Sequence, residues 1–244
     1  MNTLTLLGTG TCQIEHARRA SSVLLNLDGM PILFDCGHGI VQRLLEVGIH
    51  PNTLQHVILS HFHPDHVSDL IPLLQAGAWS QKDPRSVDLH IYGPPGTQQF
   101  LDRLFDVFGR SAFEQPDRYT LHIHERGAGL HEVAGHSFEA VRLPPAGNHG
   151  IRFVWNSKTY AITGDSNFHD EEIAFLRDVD FAVIDSGHIT DEQVVQLAVE
   201  SKARVIVCSH QYRELNEGKL QVAARRQGYT GTIIVGYDFM AFIL

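Results

Sequence analysis

At 244 residues, 43% apolar and 19% charged, the chain can bury a substantial core and reads as one soluble α/β domain over 1–244. Its net charge of −9 lacks the basic face with which strong nucleic-acid binders neutralise a phosphate backbone, so a long polyanion is disfavoured while a small phosphate-bearing molecule is not. No run approaches the ~18 apolar residues of a membrane span, Met1-Asn2-Thr3 has no basic signal region, and Cys12, Cys36 and Cys208 form no CxxC pair. A cytoplasmic protein without a disulfide framework or thiolate zinc site is expected.

In chain order, the apolar stretch 4–7 predicts a first strand, closed by the flexible turn Gly8-Thr9-Gly10-Thr11. Strands over 22–27 and 32–34 then form a hairpin around Asp28-Gly29. The spacing of Ile40, Leu44, Leu45 and Val47 predicts a helix over 39–47 that stops at Gly48. A short buried strand over 56–59 follows, then a helix over 65–75. Residues 90–92 read as a strand, and Thr97 reads as the cap of an amphipathic helix carrying Phe100, Leu101, Leu104, Phe105 and Phe108. At helical spacing Phe105, Phe108 and Phe113 read as core rather than as a pocket wall.

Beyond the midpoint, strands are predicted over 119–123, 138–143, 152–155, 159–163, 181–184, 205–208 and 232–235, with helices over 171–176, 191–200 and 220–227. Thr190 to Gln193 has capping-box spacing, which fixes one helix start and leaves His188 in the loop before it. Strands on both sides of the midpoint, each followed by helices, predict a layered sandwich with sheets inside and helices outside.

The run Ser60-His61-Phe62-His63-Pro64-Asp65-His66 places three imidazoles and a carboxylate in six consecutive positions after an apolar strand. Imidazole nitrogen is the commonest protein ligand for zinc and related metals, and an interleaved carboxylate supplies a further ligand or a proton acceptor. This His-x-His-x-Asp-His pattern resembles the metallo-β-lactamase superfamily, whose fold is a four-layer αββα sandwich with two metal ions at one edge. The resemblance implies three further ligands downstream, each at a strand end. His149 lies in Gly147-Asn148-His149-Gly150, Asp165 in Thr163-Gly164-Asp165-Ser166, and His210 follows Val205-Ile206-Val207-Cys208-Ser209. Singly, each also reads as an ordinary loop, turn or strand-end residue; together, in the family's order, they complete the set.

By that resemblance His61, His63 and His149 hold one divalent ion, Asp65, His66 and His210 hold the other, and Asp165 bridges them. Zinc suits these donors, and Mn2+ or Fe2+ also accepts them. Leu7-Gly8-Thr9-Gly10, Arg19-Ala20-Ser21-Ser22, Phe34-Asp35-Cys36-Gly37 and Gly236-Tyr237-Asp238-Phe239-Met240 are similar to the ribonuclease Z and small phosphodiesterase branch. There a histidine placed like His188, 22 positions before His210, serves as proton donor or phosphoryl contact. As a bare loop residue His188 also reads as a solvent-exposed histidine. Asp65 and Asp165 join it as catalytic candidates.

Two departures bear on substrate. Only 16 positions separate Asp165 from His149, which leaves no room for the long Gly/Pro-rich arm with which bacterial ribonuclease Z grips tRNA. His38 also stands where that enzyme carries Glu. A phosphodiesterase for a small diester, such as a cyclic nucleotide or a cyclic or alkyl phosphate, is therefore expected ahead of tRNA 3′ processing. Hydrolysis of a thioester, lactone or lactam is the rival enzyme reading, and a non-catalytic metal-binding protein is a different class. Arg18, Arg19 and Arg213 are candidate phosphate contacts. Asp35 and Asp238 either support ligating imidazoles from behind or hold turns, and a homodimer fits the branch.

Overall fold

The computed structural model describes residues 1–145 and 147–244. Strands β1 (Thr3–Gly8), β2 (Ser22–Leu27) and β3 (Met30–Phe34) form an antiparallel meander, to which β4 (His56–Ile58), β5 (Leu89–Gly93) and β6 (Leu121–Glu125) add in parallel. Between them run helices α1 (Ile40–Glu46), α2 (Pro64–Val67), α3 (Leu70–Trp79) and α4 (Thr97–Phe108). The second half follows the same plan. Strands β7 (Gly129–Val133), β8 (His136–Leu143), β9 (Asn148–Trp155) and β10 (Lys158–Ile162) are antiparallel, and β11 (Phe181–Asp185), β12 (Val205–Ser209) and β13 (Thr232–Val235) continue in parallel. Helices α5 (Asp170–Phe175), α6 (Asp191–Ser201) and α7 (Glu217–Arg226) connect them. Finally β14 (Ala241–Ile243) returns to pair with β1, giving two seven-stranded sheets of order β14-β1-β2-β3-β4-β5-β6 and β13-β12-β11-β10-β9-β8-β7.

Three apolar clusters make this an αββα sandwich. One, with Leu4, Leu25, Phe34, Phe138, Ile151 and Val207, lies between the sheets. A second packs α1, α3 and α4 on the outer face of the first sheet through Leu44, Leu73, Leu101 and Phe105. The third packs α5, α6 and α7 on the second sheet through Phe175, Val194, Leu197 and Leu220. Each fully buried Leu, Ile or Phe contributes about 1.5–3 kcal/mol by leaving water. Phe105 and Phe113 belong to the core, whereas Phe108 is exposed. Among the described residues no helix is long and apolar enough to cross a membrane.

The fold departs from the sequence expectation at five places. The helix expected over 65–75 is broken between α2 and α3, because Asp69 turns its backbone N–H to Cys36 O (2.9 Å) and accepts from Val41 N through Oδ2 (2.9 Å). Gly96, not Thr97, is the residue that precedes the first turn of α4; Thr97 Oγ1 instead donates to Pro94 O (2.7 Å). His149 is the second residue of β9, not a loop residue, and β7 and β14 are additional strands.

On the face of the first sheet turned toward the second, parallel register sets His56 beside His90 and His90 beside His122, with Tyr92 beside His124. These rings stack, His56 on His90 at 5.2 Å and His90 on His122 at 4.5 Å.

Candidate metal centre

The run after β4 reaches its place because Pro64 opens α2 with its fixed φ, so that Asp65 and His66 lie in a first turn while His61 and His63 precede it. The ends of β10, β11 and β12 supply Asp165, Asp185 and His210 from the other sheet, the edge at which α/β folds gather functional side chains. Gly164 makes the Asp165 corner: it has φ +65°, and a Cβ there would lie 2.5 Å from Asn148 Oδ1 and 2.7 Å from Ser60 Cβ. Asp35 (φ +62°) and His210 (φ +51°) hold the left-handed conformation without being glycine. Such backbone costs about 1–2 kcal/mol per residue and persists where surrounding bonds impose it. Here Asp35 N donates to Ile58 O (2.8 Å), and the next residue after His210, Gln211, donates to Thr9 O (2.9 Å).

Potential ligand atoms converge within 4.8 Å in three overlapping groups: His61, His66 and Asp165; Asp65, His66 and His210; and Asp165, Asp185, His188 and His210. Asp165 is the hub. Its Oδ1 lies 2.9 Å from His66 Nε2 and 3.2 Å from His210 Nε2, and its Oδ2 lies 3.5 Å from His61 Nε2 and 3.7 Å from His63 Nδ1. His210 Nε2 is also 3.4 Å from Asp65 Oδ2. His63 stands at the rim with a side chain 63% exposed. His149 is buried and enters beside the run through its backbone N–H to Ser60 O (3.0 Å), with Nδ1 donating to Gly147 O (3.2 Å).

Neighbouring bonds fix which ring nitrogens are free. Asp35 accepts from Ser60 N (2.7 Å), Ser60 Oγ (2.8 Å) and His66 Nδ1 (2.8 Å). Because Ser60 Oγ gives its only proton to Asp35, it accepts from His61 Nδ1 (2.9 Å). Both imidazoles therefore carry a proton on Nδ1 and turn Nε2 inward, an arrangement that raises ligand basicity. His61 Nε2, His66 Nε2 and Asp165 Oδ1 are buried without a hydrogen-bond partner. An imidazole nitrogen and a carboxylate oxygen 2.9 Å apart call for positive charge between them, a proton or a divalent cation, and imidazole with carboxylate is a donor set that zinc accepts. The residues fit the metal.

The charges agree with that fit. Burial raises the pKa of Asp165, but His61, His66 and His210 more than offset it and hold the carboxyl below the usual range. Asp65 is lowered in the same way, burial being outweighed by the bond from His210 and the charge of His66. Conversely, burial lowers His66 and His210, yet carboxylates prevail: Asp35 and Asp165 hold His66 well above its ordinary value, and Asp185, Asp65 and Asp165 push His210 up to about 10. The cluster binds positive charge, as protons or as metal.

Asp185 was not among the sequence candidates. Fully buried at the end of β11, it accepts from Ser166 N (3.0 Å), Gly187 N (2.8 Å) and His188 N (3.2 Å), and from His188 Nδ1 at 2.6 Å, while its Oδ1 lies 3.3 Å from His210 Nδ1. The bond that His188 Nδ1 donates to Asp185 raises the pKa of His188 despite partial burial. The available signal was the strand-end position that also marked Asp165 and His210.

Asp35 lies behind two ligand candidates, whereas Asp238 holds a turn: it accepts from Thr9 N and Oγ1, Arg19 N and Arg43 Nη2, each at 2.9 Å. Arg213 is committed to Asp191 Oδ1 (2.7 Å) and Ser186 O (2.9 Å), and Arg19 Nη1 to Glu15 O (2.7 Å), while Arg18 makes one long bond to Thr9 Oγ1 (3.3 Å).

The sequence profile of the Metallo-beta-lactamase superfamily matches residues 17–210. Similar relatives include the ribonuclease Z of Mycolicibacterium gilvum, 40% identical over 106 residues, which are 43% of this chain and 37% of that protein. That of Pyrococcus horikoshii is 36% identical over 132 residues, 54% of this chain and 38% of the relative. The match thus spans under two fifths of the length of either relative. Among solved structures, the metallo-beta-lactamase fold protein YhfI from Bacillus subtilis superposes with a TM-score of 0.80 at 19% identity, covering 99% of this chain and 98% of that one. A diphosphatase of the PhnP family gives 0.74 at 20% identity, covering 100% and 98%, and the short form of human tRNase Z gives 0.72 at 22%, covering 98% of each. At these identities the structural likeness carries the fold. With the profile spanning both halves of the ligand cluster, the chain belongs to the metallo-beta-lactamase superfamily.

Proposed function

We propose that the chain is a two-metal phosphodiesterase for a small phosphodiester, such as a cyclic nucleotide or a cyclic or alkyl phosphate. His61, His63 and His149 would hold one divalent ion and Asp65, His66 and His210 the other, with Asp165 between them; zinc suits this set best. Such a pair, when bound, supplies the Lewis acidity that activates water and stabilises charge on the oxygens around phosphorus. The chain's own contribution to departure of the alcohol is the observation that carries the reading: His188 bonded through Nδ1 to buried Asp185 at 2.6 Å.

That bond fixes the tautomer and leaves Nε2 as the atom that exchanges a proton. It also favours the imidazolium, the form able to protonate a departing alkoxide near neutral pH. Relatives named ribonuclease Z favour cleavage of a phosphodiester over a carbonyl substrate. Size favours the small diester. Strands β9 and β10 are joined directly through Asn156 and Ser157, so the hairpin between His149 and Asp165 carries no gripping arm, and the net charge of −9 repels a polyanion.

Zinc-loaded protein should hydrolyse bis-p-nitrophenyl phosphate, and His188→Ala should lower kcat on a cyclic nucleotide, whose alkoxide needs a proton to depart, by about 100- to 10,000-fold with metal content unchanged. Turnover confined to thioesters, lactones or lactams would sink the reading, as would cleavage of a tRNA precursor in preference to small diesters.

A further inference from the structure

Tyr212 stands outside every role assigned above, yet its ring lies against both imidazoles that face Asp185. It meets His188 edge-on, centroids 5.6 Å apart at 76°, and His210 edge-on at 5.5 Å and 85°. Those two imidazoles are themselves stacked at 5.1 Å and 21°. A carboxylate bonded to one ring nitrogen sets where that nitrogen points but leaves the ring free to turn about the N–H···O axis. An aromatic edge set against both rings removes that freedom, in the perpendicular arrangement that aromatic pairs prefer.

The local sequence accommodates this approach. A Cβ on Gly187 would stand 2.7 Å from Tyr212 Cδ2 and 2.2 Å from His210 O, so only glycine lets the tyrosine ring close against the loop that carries His188. At its far end the hydroxyl lies 3.5 Å from Cys12 Sγ, in the segment that follows β1.

We infer that Tyr212 is a positioning residue, whose ring holds His188 and His210 in the orientation Asp185 sets and thereby aligns His188 Nε2 on the departing oxygen. The alignment on substrate rests on the phosphodiesterase reading; the hold on the two rings does not.

The test pairs kinetics with a signal independent of turnover. The His188 Nδ1 proton, bonded to a buried carboxylate, should give a slowly exchanging downfield NMR resonance in the metal-loaded protein, assigned by its loss in His188→Gln. Tyr212→Phe and Cys12→Ala should keep this resonance and kcat. Tyr212→Leu should lose or broaden the resonance and lower kcat by about 100-fold, the scale of small misalignments, with KM and metal content little changed. Tyr212→Met carries the same test if the leucine variant unfolds. The inference is overturned if Tyr212→Leu keeps the resonance and near-wild-type kcat, or if Tyr212→Phe falls as far as the leucine variant, which would move the role to the hydroxyl. Lack of diester turnover in the wild type would count against the phosphodiesterase reading alone, since the resonance still reports on Tyr212.

Discussion

The metal centre and the β4–β6 face both hold buried or half-buried histidines, and His66 and His210 of the first are driven in the opposite direction to His56, His90 and His124 of the second. At the centre, His66 and His210 face Asp35, Asp65, Asp165 and Asp185, and the carboxylates outweigh burial to raise both rings, His210 to about 10. On the sheet face, His56, His90 and His124 face one another. Burial lowers all three, His56 to about 4, and neighbouring imidazoles add to it, behind Arg126 in the case of His124. There His90 Nδ1 and His124 Nε2 share one hydrogen bond at 3.0 Å, which needs one ring to accept and so excludes two protonated partners. Burial acts against the charged form in both places. The partner decides whether an imidazole gathers positive charge or rejects it.

Removing the hub should erase that contrast most completely. Asp165→Ala takes away the carboxylate that approaches His61, His63, His66 and His210. Metal analysis should show at least one ion fewer per chain, with hydrolysis lost by roughly 1,000-fold or more, because the variant strips the charge that binds the cation. A variant that retains its metal and its turnover would show that Asp165 is not the hub. Asp35→Asn acts one layer back: it keeps the shape but weakens the acceptor that fixes the Nδ1 protons of His66 and, through Ser60, of His61. Zinc affinity, measured by competition with a chelator, should fall about 10- to 100-fold.

Proton release sharpens the comparison next. Because His66 and His210 have raised pKa values in the metal-free protein, a metal must displace protons from them at pH 7. Calorimetric titrations in buffers of different ionisation enthalpy should show net proton release on zinc binding, and apparent affinity should rise with pH. Buffer-independent heats would contradict the carboxylate-dominated account.

Much of this architecture was legible because each half of the ligand set follows an apolar strand: 56–59 before His61 and 205–208 before His210. The parts that escaped depend on contacts distant in sequence. The break after α2 is made by Cys36 O, far from Asp69 in the chain. Strand β7 buries only Val133 and offers little apolar signal, and three-residue β14 exists only through its pairing with β1. Asp185 resembled an ordinary strand end until His188 and His210 were seen to converge on it. The histidine stack was hidden for the same reason, since His56, His90 and His122 belong to different strands and meet only through parallel register.

That stack gives the smallest effects and the opposite pH sign. A lowered pKa means that the folded state disfavours protonation, so its contribution to stability is present above the unfolded value near 6.5 and is lost as pH falls from there toward about 4. For buried His56 the loss amounts to about 3 kcal/mol at its limit, read as a falling thermal midpoint between pH 6.5 and 4. His56→Phe should flatten that fall, whereas a variant as acid-sensitive as the wild type would remove His56 from the account. Asp88→Asn should act more weakly and in the reverse sense. The Asp88 carboxylate, exposed and 3.1 Å from His122 Nε2, partly offsets the lowering of His90, so its removal should steepen the acid loss slightly. High salt should abolish this difference, because an exposed charge pair is screened, while the His56 effect should survive because it arises chiefly from burial.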